Sequence, residues 1–239
     1  SGVANLKIQN VLFDQNFANN AGSSIDACGS LEIVDSAFRG GRSSSSFSGA
    51  AVSRGICLEQ DYSNLPVVVR RSDFSQNRTG LGIVGGYGAQ PNVLGRVSII
   101  DSTFQNNTLR ALDLANAGDL TIEGSTFSGN GPWDRINDAT RCIDHDLNCE
   151  NGGAIFDRTG SGQFRISGSS FVRNFALDYG GAIDRLGSRR CVNGQDECNP
   201  TRTPSNRFDI ILDSVIFDGN RSHRGAAISI ARTDAFPGF

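Results

Sequence analysis

Leu120-Thr-Ile-Glu-Gly-Ser-Thr-Phe-Ser-Gly-Asn130 is the stretch that decides the fold. It reads as a short strand with apolar residues at alternate positions, Leu120 and Ile122, then a turn at Gly124-Ser125, then a phenylalanine with asparagine three positions later. The same phrase recurs along the chain. Its phenylalanines are Phe13, Phe38, Phe74, Phe104, Phe127, Phe171 and Phe217, and the residues three positions on are Asn16, Gly41, Asn77, Asn107, Asn130, Asn174 and Asn220. A phrase that returns in fixed phase every roughly 20 to 30 residues means stacked supersecondary units, none of which buries its apolar face alone.

The upstream strand is present each time, as Leu6-Lys-Ile8, Leu31-Glu-Ile33, Val67-Val-Val69, Val97-Ser-Ile99, Leu120-Thr-Ile122, Phe164-Arg-Ile166 and Ile210-Ile-Leu212. Turns come next at Asp35-Ser36, Arg71-Ser72, Asp101-Ser102, Gly124-Ser125, Gly168-Ser169 and Asp213-Ser214. Beyond the asparagine lies a small-residue segment: Gly49-Ala-Ala-Val52, Gly80-Leu-Gly-Ile83, Gly152-Gly-Ala-Ile155, Gly180-Gly-Ala-Ile183 and Gly225-Ala-Ala-Ile228. Three short strands per repeat describe one turn of a parallel β-helix. Inward Phe and Ile side chains are expected to stack on their equivalents about 4.8 Å along the axis. The asparagines are expected to ladder their amides between coils and to take the left-handed backbone conformation at that bend.

A chain of 239 residues with one continuous repeat is expected to form a single elongated domain over 1–239. The formal charge of -3 provides no basic stripe for a phosphate backbone, so nucleic acid is not expected as a partner. No apolar run approaches the roughly 20 residues of a membrane span. The start at Ser1-Gly-Val-Ala-Asn5 is neither an initiator methionine nor a signal peptide, which suggests a processed form or an excised segment.

Spacing between repeats locates insertions. Phe104 and Phe127 are 23 residues apart, the shortest interval and the undecorated one. Longer intervals place insertions at about 53–66, 84–95, 131–151 and 184–207. Three of them come after the small-residue strand and should emerge along one edge, whereas 131–151 precedes it and leaves from a different corner. Loops on a rigid scaffold are where solenoids carry function. The phase argument also pairs the six cysteines. Cys28 and Cys57 occupy the same corner one coil apart, while Cys142 with Cys149 and Cys191 with Cys198 each close a loop of their own. Three disulfides would imply an oxidising compartment, hence an extracellular or cell-surface location, the alternative being a set of buried or metal-binding thiols, for which no C-x-x-C pair speaks.

Phe-x-x-Asn combined with Gly-Gly-Ala-Ile, at Gly152–Ile155 and Gly180–Ile183 and nearly at Gly225–Ile228, resembles the repeat of the polymorphic outer membrane proteins of chlamydiae. The resemblance covers roughly residues 6 to 230. It implies an all-β fold, a right-handed parallel β-helix (a pectate-lyase-like solenoid) of about seven to eight coils with loop insertions, exposed at a cell surface with roles in adhesion.

Chemistry concentrates in the insertion at 131–151. Asp144-His-Asp-Leu-Asn-Cys-Glu150 alternates potential oxygen ligands at Asp144, Asp146, Asn148 and Glu150, with His145 between the first two. Such a run is either a calcium site or a solvated polar loop. The loop order expected of a helix-loop-helix calcium site is missing, because Cys149 stands at the sixth position from Asp144 and Ile155 at the twelfth. Trp133, at the start of the same insertion, either stacks on a sugar or pins the loop. Asp144, His145, Asp146, Asn148, Glu150 and Trp133 are therefore the candidate ligand-binding residues. A hydrolase or lyase would need converging carboxylates or a basic side chain beside a uronate. Asp134, Asp138, Arg141, Asp157, Arg158, Asp184 and Arg185 are available, but charge after Ala-Ile also reads as a solvated strand exit, and no catalytic residue is assigned. Of three sequons, Asn106-Asn-Thr108 is the expected glycan acceptor, since Asn77 and Asn220 belong to the ladder. Two functions stand side by side. One is a surface scaffold of adhesin type offering a loop-bearing edge to a glycan or protein partner, with end-to-end or larger assembly through its open terminal coils. The other is a carbohydrate-active enzyme, a lyase, hydrolase or epimerase acting on an acidic polysaccharide. The residues favour the scaffold.

Overall fold

The computed structural model describes residues 5–19, 23–27, 29–43, 50–54, 65–84, 96–115, 119–133, 152–157, 162–186 and 209–231. These residues form an all-β structure built from three parallel sheets of seven strands each. The first sheet runs Asn5–Gln9, Ser30–Val34, Val67–Arg70, Val97–Ile100, Leu120–Glu123, Phe164–Ser167, Ile210–Asp213. The second runs Leu12–Asp14, Ala37–Arg39, Asp73–Ser75, Thr103–Gln105, Thr126–Ser128, Ser170–Val172, Ile216–Asp218. The third contains Ile25–Ala27, Ala50–Arg54, Thr79–Val84, Arg110–Ala115, Ile155–Asp157, Ile183–Leu186 and Ile228–Ala231. Within every sheet the strands keep chain order, so each repeat adds one strand to each sheet. That arrangement fits a parallel β-helix.

Register obeys the sequence phrase. Phe38 pairs with Phe74, Phe74 with Phe104, Phe104 with Phe127 and Phe127 with Phe171 in the second sheet. Their rings stack face to face, with centroids 4.7 to 5.0 Å apart and interplanar angles of 10° or less. Inward rows of Ile33, Val69, Ile99, Ile122 and Ile166 from the first sheet and Val52, Leu81, Leu112, Ile155 and Ile183 from the third close the core around them. Each fully buried Phe stabilises the stack by about 1.5–3 kcal/mol.

Two inner polar files hold the corners. In the first, Asn107 donates its amide to the Phe74 carbonyl at 2.9 Å and to the Asn130 side-chain oxygen at 2.8 Å, and the Asn77 backbone N–H donates to the Asn107 side-chain oxygen at 3.1 Å. Asn130 repeats the pattern toward Phe104 and Asn174. The left-handed conformation, however, does not belong to these asparagines. It belongs to the residue just before each, at Gln76, Asn106, Gly129, Arg173 and Gly219, with φ between 52° and 63°. That outward-facing residue makes the bend, which turns the next residue, asparagine, inward. At Gly41, the exception in the file, the Ser23 hydroxyl stands 2.3 Å from where a Cβ would lie, and the Gly41 N–H still donates to the Asn77 side-chain oxygen at 2.8 Å.

The second file, of serines, has no counterpart among the sequence expectations. Ser36, Ser72, Ser102, Ser125 and Ser169 are buried, each hydroxyl donating to a carbonyl two residues back. Those of Ser72, Ser102, Ser125 and Ser169 also accept the N–H of the equivalent serine in the preceding repeat. At Asp213-Ser214 the expected phase slips by one. Ser214 takes the left-handed corner with φ 54°, and half-buried Val215 fills the place of the serine.

Strands extend slightly into the expected insertions. Ser53 and Arg54, Val84, and Asp184 through Leu186 belong to the third sheet. Gly131 is likewise part of the repeat, its N–H donating to the Asn107 carbonyl at 2.9 Å.

Candidate functional site

Most of the expected site falls outside the described residues: Asp144, His145, Asp146, Asn148 and Glu150, all six cysteines, and also Asp134, Asp138, Arg141 and Arg158. Trp133 and Asn106 are described, and the same hollow brings them together.

This hollow has a volume of about 620 Å³ and is lined by Asn106, Thr108, Gly129, Gly131, Trp133 and Arg173. It lies at the corner between the second and third sheets, across three successive repeats. Backbone approach creates the space. A Cβ on Gly131, whose φ is 117°, would lie 1.8 Å from the Phe175 carbonyl oxygen, so no side chain fits there. Pro132 and Gly131 are buried, and Trp133 rests half-exposed with its ring tilted 34° against Phe175 at a centroid distance of 5.2 Å. Its indole N–H is buried without a hydrogen-bond partner among the described residues. The packing fixes the indole, so Trp133 both anchors the start of the insertion and offers part of its surface to the hollow. Arg173 and Asn106 reach the rim because both occupy the left-handed corner position, which turns a side chain outward.

A second depression, about 720 Å³, runs over the corner between the first and second sheets along Asp35, Arg71, Asp101, Arg39 and Asp73. Its charges compensate one another. Arg71 donates to both Asp35 oxygens, at 2.7 and 2.9 Å, and Arg39 donates to Asp73 at 3.1 Å. The hydrogen bond from Arg71 holds the Asp35 carboxyl below its ordinary range. This surface has no aromatic face, and its guanidinium groups are occupied by carboxylates.

Three of the charged residues expected as solvated strand exits lie inside third-sheet strands and are not solvated. Asp157, Asp184 and Arg185 are fully buried. Arg185 donates to Asp157 at 3.1 Å, to the Asp209 carbonyl at 3.0 Å and to the Gly162 carbonyl at 2.6 Å, and its guanidinium lies 4.1 Å from the Phe164 ring centroid. Burial pushes the Arg185 guanidinium below its ordinary value, and Asp157 opposes that shift. Arg110 makes a related contact to Asp113 at 3.3 Å and lies over Phe156 at 4.6 Å. Strand alternation carries the signal: Asp157 and Arg185 stand two residues after inward Ile155 and Ile183, hence on the inward face. The Asp157–Arg185 pair is engaged as a structural tie between the third and first sheets. Of the three sequon asparagines Asn106 is exposed, Asn77 is buried in the ladder and Asn220 is half-buried.

Comparison with models of known protein families, with curated proteins and with solved structures finds no match to this chain.

Proposed function

We propose that this chain is a right-handed parallel β-helix of seven to eight coils, pectate-lyase-like in architecture, that acts outside the cell or at its surface as a glycan-binding scaffold. The observation that carries this reading is the hollow at Trp133. A half-exposed indole held rigidly over bare backbone, with amide, hydroxyl and guanidinium groups at the rim, is the mix of one apolar face and a few directed polar groups that suits a saccharide. Support also comes from how the repeated residues are used. Phe, Asn and Ser of the phrase are consumed by buried stacks and ladders, which leaves recognition to corners and connecting segments. Three long connections join the third sheet to the first, after Arg54, Val84 and Leu186, and thus share one edge. The resemblance to surface repeat proteins and the three expected disulfides agree with an extracellular setting and an adhesive role, and calcium in the loop Asp144–Glu150 is compatible with it.

The test is a panel of acidic and neutral polysaccharides offered with and without calcium, reading binding and chain length together. Binding that leaves chain length unchanged is expected. Depolymerisation that disappears in Asp144→Asn or Asp146→Asn would replace the scaffold by a carbohydrate-active enzyme.

A further inference from the structure

We infer that the Trp133 hollow is a subsite for a sugar acid, with the indole as the platform for the pyranose ring and Arg173 as the partner of its carboxylate. This deepens the glycan-binding reading and rests on it. Exposed arginines without an ion pair, such as Arg70, Arg165 and Arg221, recur among the described residues, but Arg173 is the one that lines the hollow. Arg39, Arg71, Arg110 and Arg185 each hold a carboxylate, at 3.1, 2.7, 3.3 and 3.1 Å. Arg173 is exposed on the rim of the hollow and makes no ion pair among the described residues. Its position is nevertheless built. The backbone is held at φ 52°, its N–H donates to the Asp218 carbonyl at 2.8 Å, and its aliphatic stem passes over Gly219, where a Cβ would come within 3.2 Å of the Arg173 Cγ. An anchored stem with an uncommitted planar fork of donors is suited to bidentate carboxylate recognition.

The opposite wall complements it. Trp133 belongs to the repeat next to that of Arg173, and neighbouring repeats lie 4.8 Å apart at the Phe127–Phe171 stack. Trp133 and Arg173 line the same hollow, so a ligand seated there would meet the indole through apolar ring hydrogens and the guanidinium through charge. Gly129 and Gly131 keep the floor free of side chains, and Asn106 and Thr108 add hydrogen-bonding groups at the far rim. The chain carries a formal charge of -3, so an acidic saccharide gains nothing from the molecule's overall field and must be accepted by a local cation. The same geometry makes Asn106 a switch on access, because a glycan attached there would occupy the hollow that it lines.

The test uses the full chain from a non-glycosylating host, in chelator, titrated calorimetrically with trigalacturonate and with its carboxyl-reduced, neutral counterpart. Trigalacturonate is expected to bind more tightly, with affinity falling as salt rises. Arg173→Gln should weaken trigalacturonate about tenfold or more and leave the neutral trisaccharide within about twofold, since one charge-assisted pair is lost. Arg173→Lys should restore part of the acidic preference, and Trp133→Ala should weaken both ligands. Arg173 is exposed, so its variants should keep the unfolding midpoint, which guards against misreading a folding defect. Equal binding of the two ligands, or an unchanged trigalacturonate affinity in Arg173→Gln, overturns the subsite while leaving glycan binding elsewhere intact. Failure of every saccharide in the wider panel removes the glycan reading, and this subsite with it.

Discussion

Asn107 shows what a single residue carries in this fold. Its side chain satisfies a carbonyl in the preceding repeat, a side-chain oxygen in the next and an N–H from Asn77, all in a fully buried position. Asn107→Ala should lower unfolding stability by about 2–5 kcal/mol in urea titration, because several buried groups lose partners at once. Asn16, half-buried with one 3.3 Å hydrogen bond to Ser24, should lose under about 1 kcal/mol on the same change. The Asp35–Arg71 pair makes a different kind of prediction. Arg71 lowers the Asp35 pKa, so the contribution of the pair is present above the unfolded carboxyl value of about 3.9 and is lost as pH falls through the depressed folded value. In Arg71→Ala the Asp35 carboxyl should titrate higher than in the parent, monitored by carbon-detected NMR, while neutral-pH stability barely moves because both groups are solvent-accessible. Residue roles are only partly legible in the sequence. The repeated phrase points to asparagine as a ladder residue, but the left-handed bend sits one position earlier, where Gln, Asn, Gly and Arg all occur and no single residue type marks it.

Among the elements, the third sheet is the least regular and the most informative. Its strand Arg110–Ala115 has no Gly-Gly-Ala-Ile signature, so the sequence does not reveal it, yet Leu112 and Leu114 pair in register with Leu81 and Ile83. The inward row that runs through Ile83 and Leu114 continues as Asp157 and Arg185. The apolar row is thus interrupted by an ion pair before it reaches Ile230, and Arg185 ties it to the carbonyls of Gly162 and Asp209, close before the first-sheet strands at Phe164 and Ile210. Removing one partner leaves a buried charge, so Asp157→Asn and Arg185→Met should each destabilise by about 3–5 kcal/mol. A double-mutant cycle should give a coupling of about 1 kcal/mol or more, and additivity within experimental error would mean that the two side chains act independently. Composition makes these charges resemble surface exits. Alternation places them inward, at an even spacing from Ile155 and Ile183.

For the whole molecule, sequence alone conveys the architecture because the constraint is repeated seven times, and a pattern sampled that often survives local exceptions such as Gly41 and Val215. The hollow is less legible, since it has no motif. It arises where Gly131 and Trp133 meet Arg173 of the next repeat at one corner, and only Trp133 stands out by its chemistry. Arg173 has no distinguishing mark in the sequence until its neighbours are in place. Scaffold and site therefore obey different rules, the first written by repetition and the second by the places where repetition is suspended.

The two polar files give the chain an unusual relation to its own length. Along the regular part of each file, asparagine and serine hand their bonds to an equivalent residue, so neighbours are interchangeable in kind. Residues 108–130 comprise one such unit, since Asn107 and Asn130 present the same groups to the adjoining coil. Excising that unit would rejoin Asn107 to Gly131 with all three sheets still in register, whereas removing half of it would misalign every row. Size in this molecule is thus counted in whole steps, and a lineage that lengthened or shortened it would move by integers.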